Sequence, residues 1–116
     1  MTIDMPADIL KFIDEFIDAF ITWDLLIFFA KKGDEPVSLQ QISQILGRSE
    51  KEVVVPLKKL VEMKLLAGQK RVDGELAFRL SPACPEFAAF KSFSAYNDQQ
   101  ENRLKILSYL LQKKVR

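Results

Sequence analysis

The chain of 116 residues is one domain by size, and its 48% apolar content supports a packed core, which excludes a disordered segment. Seventeen basic and sixteen acidic side chains leave a formal net charge of +1, so overall charge singles out no polyanionic partner. With Cys84 as its one cysteine and no histidine, the chain excludes an intrachain disulfide, an ordinary zinc site and a histidine-activated nucleophile; no catalytic set, metal or cofactor is expected.

Charge is unevenly spread. Residues 1–47 carry three basic and eight acidic side chains, residues 48–79 eight and five, and residues 80–116 six and three. The basic excess therefore lies downstream. No basic run precedes an apolar stretch, so no signal peptide is expected. The first periodic segment has Ile9, Phe12, Ile13, Phe16, Ile17 and Phe20 at helical spacing, with Lys11, Asp14, Glu15 and Asp18 on the other face. It predicts a helix over 7–21. Residues 23–30 are apolar nearly all round except Asp24, and Lys31-Lys32-Gly33 closes that second helical stretch. The charges within 9–29 make it a core segment and not a membrane span.

Asp34-Glu35-Pro36 is a turn, after which Ser38 and Gln41 have the spacing of a capping box. Leu39, Ile42, Ile45 and Leu46 give this short helix a buried stripe, and Gly47 ends it. Ser49 and Glu52 repeat the capping box for a third helix, whose stripe is Val53, Leu57, Leu60 and Val61. Downstream of Leu66 the period changes. Asp73-Gly74 predicts a type I′ hairpin turn, with Lys70-Arg71-Val72 on one strand, and Leu76, Phe78 and Leu80 facing inward on the other. Pro85 fits the first position of another helix, lined on one side by Phe87, Phe90 and Phe93. Residues 97–103 are polar, as a loop or as the exposed middle of a long helix. Leu104, Leu107, Leu110 and Leu111 then resume helical spacing toward a basic end of Lys113, Lys114 and Arg116.

These elements predict a mainly α domain with a small β-hairpin. The order of a helix, a short capped helix, a tight turn, a second capped helix and a hairpin over residues 23–82, about half the chain, resembles winged helix-turn-helix regulators of the MarR-like and ArsR-like kind. The residues carrying it are Val37-Ser38-Leu39-Gln40-Gln41-Ile42, Leu46-Gly47, Leu57-Lys58-Lys59-Leu60-Val61-Glu62, Leu65-Leu66 and Phe78-Arg79-Leu80-Ser81. One domain spanning 1–116 is expected, with a winged-helix core at 22–82, an N-terminal helix at 7–21 and a C-terminal helical region at 85–116.

The resemblance implies a transcriptional regulator in the cytoplasm that binds double-stranded DNA, with its recognition helix in the major groove and its wing on the backbone or minor groove. Winding the third helix from Val53 turns Lys51, Val55, Lys58, Lys59 and Glu62 outward. Arg48 and Ser49 stand at its start, where open amides suit a phosphate, and Lys70, Arg71 and Arg79 make the wing basic. Apolar excess in 9–29 and 104–111 suggests a homodimer through the terminal helices. Three features depart from the pattern: Pro56 inside the recognition helix, Lys64 where a glycine usually turns the chain into the wing, and acidic Glu50 and Glu52 at the helix start. Residues 23–82 also resemble the winged-helix dimerisation domain of O-methyltransferases, whose catalytic domain is not expected among these 116 residues. That resemblance implies a protein–protein contact module without DNA binding.

Overall fold

The computed structural model describes residues 4–115; Arg116, the last of the basic terminus, lies outside them. In chain order the elements are α1 (Ala7–Phe16), α2 (Phe20–Lys32), β1 (Val37–Ser38), α3 (Leu39–Leu46), α4 (Glu50–Glu62), β2 (Leu66–Lys70), β3 (Leu76–Leu80), α5 (Phe87–Asn97) and α6 (Gln100–Gln112). The architecture is mainly helical with a small antiparallel sheet, as the sequence predicts.

The helix predicted over 7–21 is broken. The backbone leaves the helical region at Ile17 (φ −112°, ψ 101°) and re-enters at Phe20. Periodicity hides this break because Ile17 is buried and Phe20 still packs on the core, so both arms keep an apolar face inward. Ile9, Phe12, Ile13 and Phe16 of α1 are buried, and Phe12 stacks on Phe16 at 4.7 Å and on Phe93 of α5 at 4.9 Å.

Both predicted capping boxes form. Ser38 and Ser49 each accept the amide three residues on, while Gln41 and Glu52 reach back to the cap amide. Gly47 takes a left-handed conformation (φ 65°) after α3. Lys64 does the same after α4 (φ 68°), in place of the expected glycine. Its strain is offset by two bonds that close the helix end, Lys64 N–H to the Val61 carbonyl (2.9 Å) and Leu65 N–H to the Leu60 carbonyl (3.1 Å). α4 runs unbroken through Pro56.

The sheet has the order β1-β3-β2, and β1 is a strand that the sequence reading missed. Its pairs Val37↔Phe78 and Ser38↔Ala77 make β3 central, which is why Ala77 is buried although strand alternation predicts it outward. The wing turn also differs. Arg71 N–H bonds the Glu75 carbonyl and Gly74 N–H bonds the Arg71 carbonyl, each at 2.8 Å. Of the loop residues only Gly74 has positive φ (87°). The loop is thus Val72-Asp73-Gly74, a three-residue connection and not a type I′ pair, and Val72 sits at its exposed tip.

Pro85 lies in a turn closed by Phe87 N–H to the Cys84 carbonyl, one turn ahead of α5 and not at its first position. The polar segment 97–103 contains the α5–α6 junction. Asn97 is buried there because its Oδ1 accepts the Trp23 indole N–H at 2.9 Å. On α6 the inward residues are Ile106 and Leu110. Leu104 (58% exposed), Leu107 (37%) and Leu111 (59%) face out. The inward face is set by the α5 helix on which α6 packs.

Candidate nucleic-acid interface

α4 presents Lys51, Val55, Lys58 and Glu62 along one exposed face, as four positions separated by three and four residues must be. Val55, in the middle, is 68% exposed. Beside this face runs a groove between α4 and the wing. Lys58 and Glu62 stand on its helix side and Gln69 and Lys70 on its wing side, over Val61, Leu76 and Phe78. Strand register explains why Lys70 belongs here: it pairs with Leu76 and shares a sheet face with Phe78. Arg71 follows at the loop.

Other expected contacts are placed differently. Arg79 pairs with Ala67 and so lies on the opposite face of the wing, with Nη1 3.4 Å from the Leu80 carbonyl. Lys59 turns aside to an ion pair with Asp18, in the break between α1 and α2. Arg48 pairs with Glu52 at 3.4 Å.

The start of α4 is not the open amide cradle that Arg48 and Ser49 were expected to offer. Ser49 donates its backbone N–H (3.3 Å) and its hydroxyl (3.1 Å) to Glu52 Oε1. Those bonds, the backbone one foremost, and Arg48 beside it hold the Glu52 carboxyl below its ordinary value of 4.5. A fixed negative charge therefore stands at the helix start. Only the Glu50 and Lys51 amides remain there without a helical carbonyl behind them. By contrast, Lys51, Lys58, Lys70 and Arg71 form no ion pair among the described residues.

Sequence reasoning missed Glu75, whose carboxylate accepts the Gln40 amide of α3 across the sheet at 3.2 Å. No signal of period or motif marks it. No cluster of three or more potential metal ligands occurs among the described residues, and no described helix is long and apolar enough to cross a membrane.

No family model matches the chain. Among solved structures it is similar to the adhesin competence repressor AdcR from Streptococcus pyogenes, with a TM-score of 0.55 and 20% identity over 90% of this chain and 74% of that one. It is also similar to a cysteine-to-serine mutant of MarR from E. coli, with a TM-score of 0.51 and 10% identity, covering 90% and 83%. The fold is a MarR-like winged helix. In sequence this winged helix is 38% identical over 66 residues to the HTH-type transcriptional activator ArnR of Sulfolobus acidocaldarius, covering 54% of the chain and 24% of the relative. It is equally 38% identical over 72 residues to the activator ArnR1 of the same organism, covering 60% and 25%. The winged helix thus spans about a quarter of the length of these curated relatives, which are named as transcription factors and not as enzymes.

Proposed function

We propose that this winged helix is a DNA-reading module of a transcriptional regulator, with α4 entering the major groove and the wing following the backbone or minor groove. The observation that carries the reading is that unpaired Lys58 and Lys70 stand on the two sides of one open groove, with unpaired Lys51 on the same exposed face of α4 and Arg71 at the loop beside it. Arg48 and Ser49, both engaged with Glu52, and Lys59 and Arg79 join only by releasing their present partners. The relatives named as activators and the repressor-like fold support the same conclusion. A DNA-bound role belongs in the cytoplasm, where a lone cysteine stays reduced.

Four such cations neutralise about four phosphates, which gives salt-sensitive binding with little base reading. Titrating labelled random-sequence duplex at two salt concentrations tests this. Affinity is expected to fall steeply with salt, and a Lys70→Ala/Arg71→Ala double variant should flatten the slope by about 2. Absence of duplex binding at modest salt would leave a protein-contact module, a reading favoured by Val55 at the centre of the face and by Glu50 and Glu62 around it.

The module is also proposed to act as a homodimer. Leu104, Leu107 and Leu111, exposed at i, i+3 and i+7 of α6, support this. The apolar face of α1 is already buried in its own chain, so the contact proposed here runs through α6. Two copies related by a two-fold axis would favour inverted repeats. Sedimentation equilibrium should show a dimer at micromolar concentration that Leu107→Lys abolishes; a monomer throughout would remove this part alone.

A further inference from the structure

We infer that Glu75 is a positioning residue that fixes the wing against the α3–α4 pair and thereby holds Lys70 at the groove and Arg71 at the loop beside it; the binding consequence rests on the reading just given. Glu75 sits at a node of three bonds. Its carbonyl accepts the Arg71 amide (2.8 Å), its own amide donates to Asp73 Oδ1 (2.9 Å), and its carboxylate accepts the Gln40 amide (3.2 Å). The first two close the wing loop. The third leaves the wing altogether.

Register explains why that third bond exists. β1 and β3 pair antiparallel at Val37↔Phe78 and Ser38↔Ala77. Two further steps of the same register set Gln40 opposite Glu75, but there the chain has already coiled into α3 and the backbone ladder has ended. The Glu75 side chain takes the place of the missing ladder bond. The amide it accepts is one of the first in α3, which have no helical carbonyl of their own, and a carboxylate is favoured at that end by the helix dipole. Ser38 caps the Gln41 amide, so the two groups serve different donors.

α3 in turn is locked to α4. Arg48 N–H bonds the Ser43 carbonyl at 3.1 Å, and the Ser43 hydroxyl donates to the Arg48 carbonyl. A continuous set of bonds therefore runs from Arg71 through Glu75 and α3 to the start of α4. Charge alone argues against a carboxylate on a wing that meets phosphate, and the tether accounts for its place there.

The experiment compares wild type, Glu75→Gln and Glu75→Ala, each folded by circular dichroism. Without DNA, backbone 15N relaxation should show Glu75→Ala loosening residues 71–74 and shifting the Gln40 amide resonance. Glu75→Gln, whose amide oxygen still accepts, should match wild type. With random duplex, Glu75→Ala should bind several-fold more weakly and with a salt slope shallower by up to about 2, while Glu75→Gln binds at least as well as wild type. Unchanged wing order in Glu75→Ala overturns the inference, as does equal tightening by both variants, the result of a carboxylate that merely repels phosphate. Failure of the wild type to bind duplex would sink the proposed function, and the relaxation data would still decide the tether.

Discussion

The half of the molecule built from α3, α4 and the wing is specified by neighbours, whereas the half built from α1, α5 and α6 is specified at a distance. α3 and α4 both start in capping boxes and both end in left-handed residues. α1, α5 and α6 start with no side-chain cap at all. What holds them is Phe12 against Phe90 and Phe93, the Trp23 indole on Asn97, and Asp14 bonded to Tyr109 and Lys113, all contacts between residues more than 70 positions apart. Local caps are worth about 1 kcal/mol each but fix where a helix begins. Buried aromatics are worth several times more and fix little about direction. A surface that must present four side chains in register therefore uses the first device, and the scaffold uses the second.

The largest test of this contrast is Phe12→Ala. Phe12 is 2% exposed and packs against three other rings, stacked on Phe16 and Phe93 and tilted against Phe90. Its truncation should cost about 3–5 kcal/mol in urea unfolding, with both halves lost together. If α3 and α4 instead retained their amide protection while α1 and α5 melted, the two halves would be separate folding units.

The same contrast decides what could be read from the sequence. Ser38, Gly47 and Ser49 were legible because their partners lie three to five residues away, and the outward face of Lys51, Val55 and Lys58 follows from helical period alone. β1 was not legible, since two residues carry no pattern and their partners lie some forty positions downstream. The Asp73-Gly74 pair fits two hairpin loops equally well, and only the Arg71–Glu75 bond selects the three-residue one. Lys59 reads as one more exposed lysine until Asp18 meets it, 41 residues away. The α6 leucines repeat at perfect spacing, yet the spacing cannot say which of two apolar faces, Ile106 and Leu110 or Leu104 and Leu111, meets the core.

A smaller effect is expected on the half built from α3, α4 and the wing. Ser49→Ala removes the acceptor of the Glu52 amide and the hydroxyl donor to the Glu52 carboxylate, and should cost about 1 kcal/mol in unfolding free energy. More telling is where the loss appears. Hydrogen exchange should rise in the first turn of α4 and leave α1, α5 and α6 protected. Exchange rising equally in the terminal helices would mean that the cap is not a local device.

The smallest expected effect separates the halves by pH. Asp14 Oδ1 accepts from Tyr109 Oη (2.7 Å) and Lys113 Nζ (2.6 Å), tying α1 to α6. Burial pushes the Asp14 carboxyl up, but the hydrogen bonds from Lys113 and Tyr109 and the Lys113 charge together hold it below its ordinary 3.8. Hydrogen bonding to that carboxylate, helped by burial, holds the Tyr109 phenol above 10.0. A carboxyl depressed by folding contributes stability that is complete above 3.8 and disappears as pH falls through the folded value. With Asp14 half exposed, the contribution is about 0.2–1 kcal/mol at most. Asp14→Asn should therefore lower stability by that amount at pH 7, and its deficit against wild type should close as the pH drops below 3.8. Glu52, also depressed, adds an acid limb of its own in α4 that persists in the Asp14→Asn variant, so the difference between the two proteins isolates the α1–α6 tie. A deficit that held constant from pH 7 down to pH 2 would mean that the substitution acts by packing, and that the terminal helices are joined by their apolar faces alone.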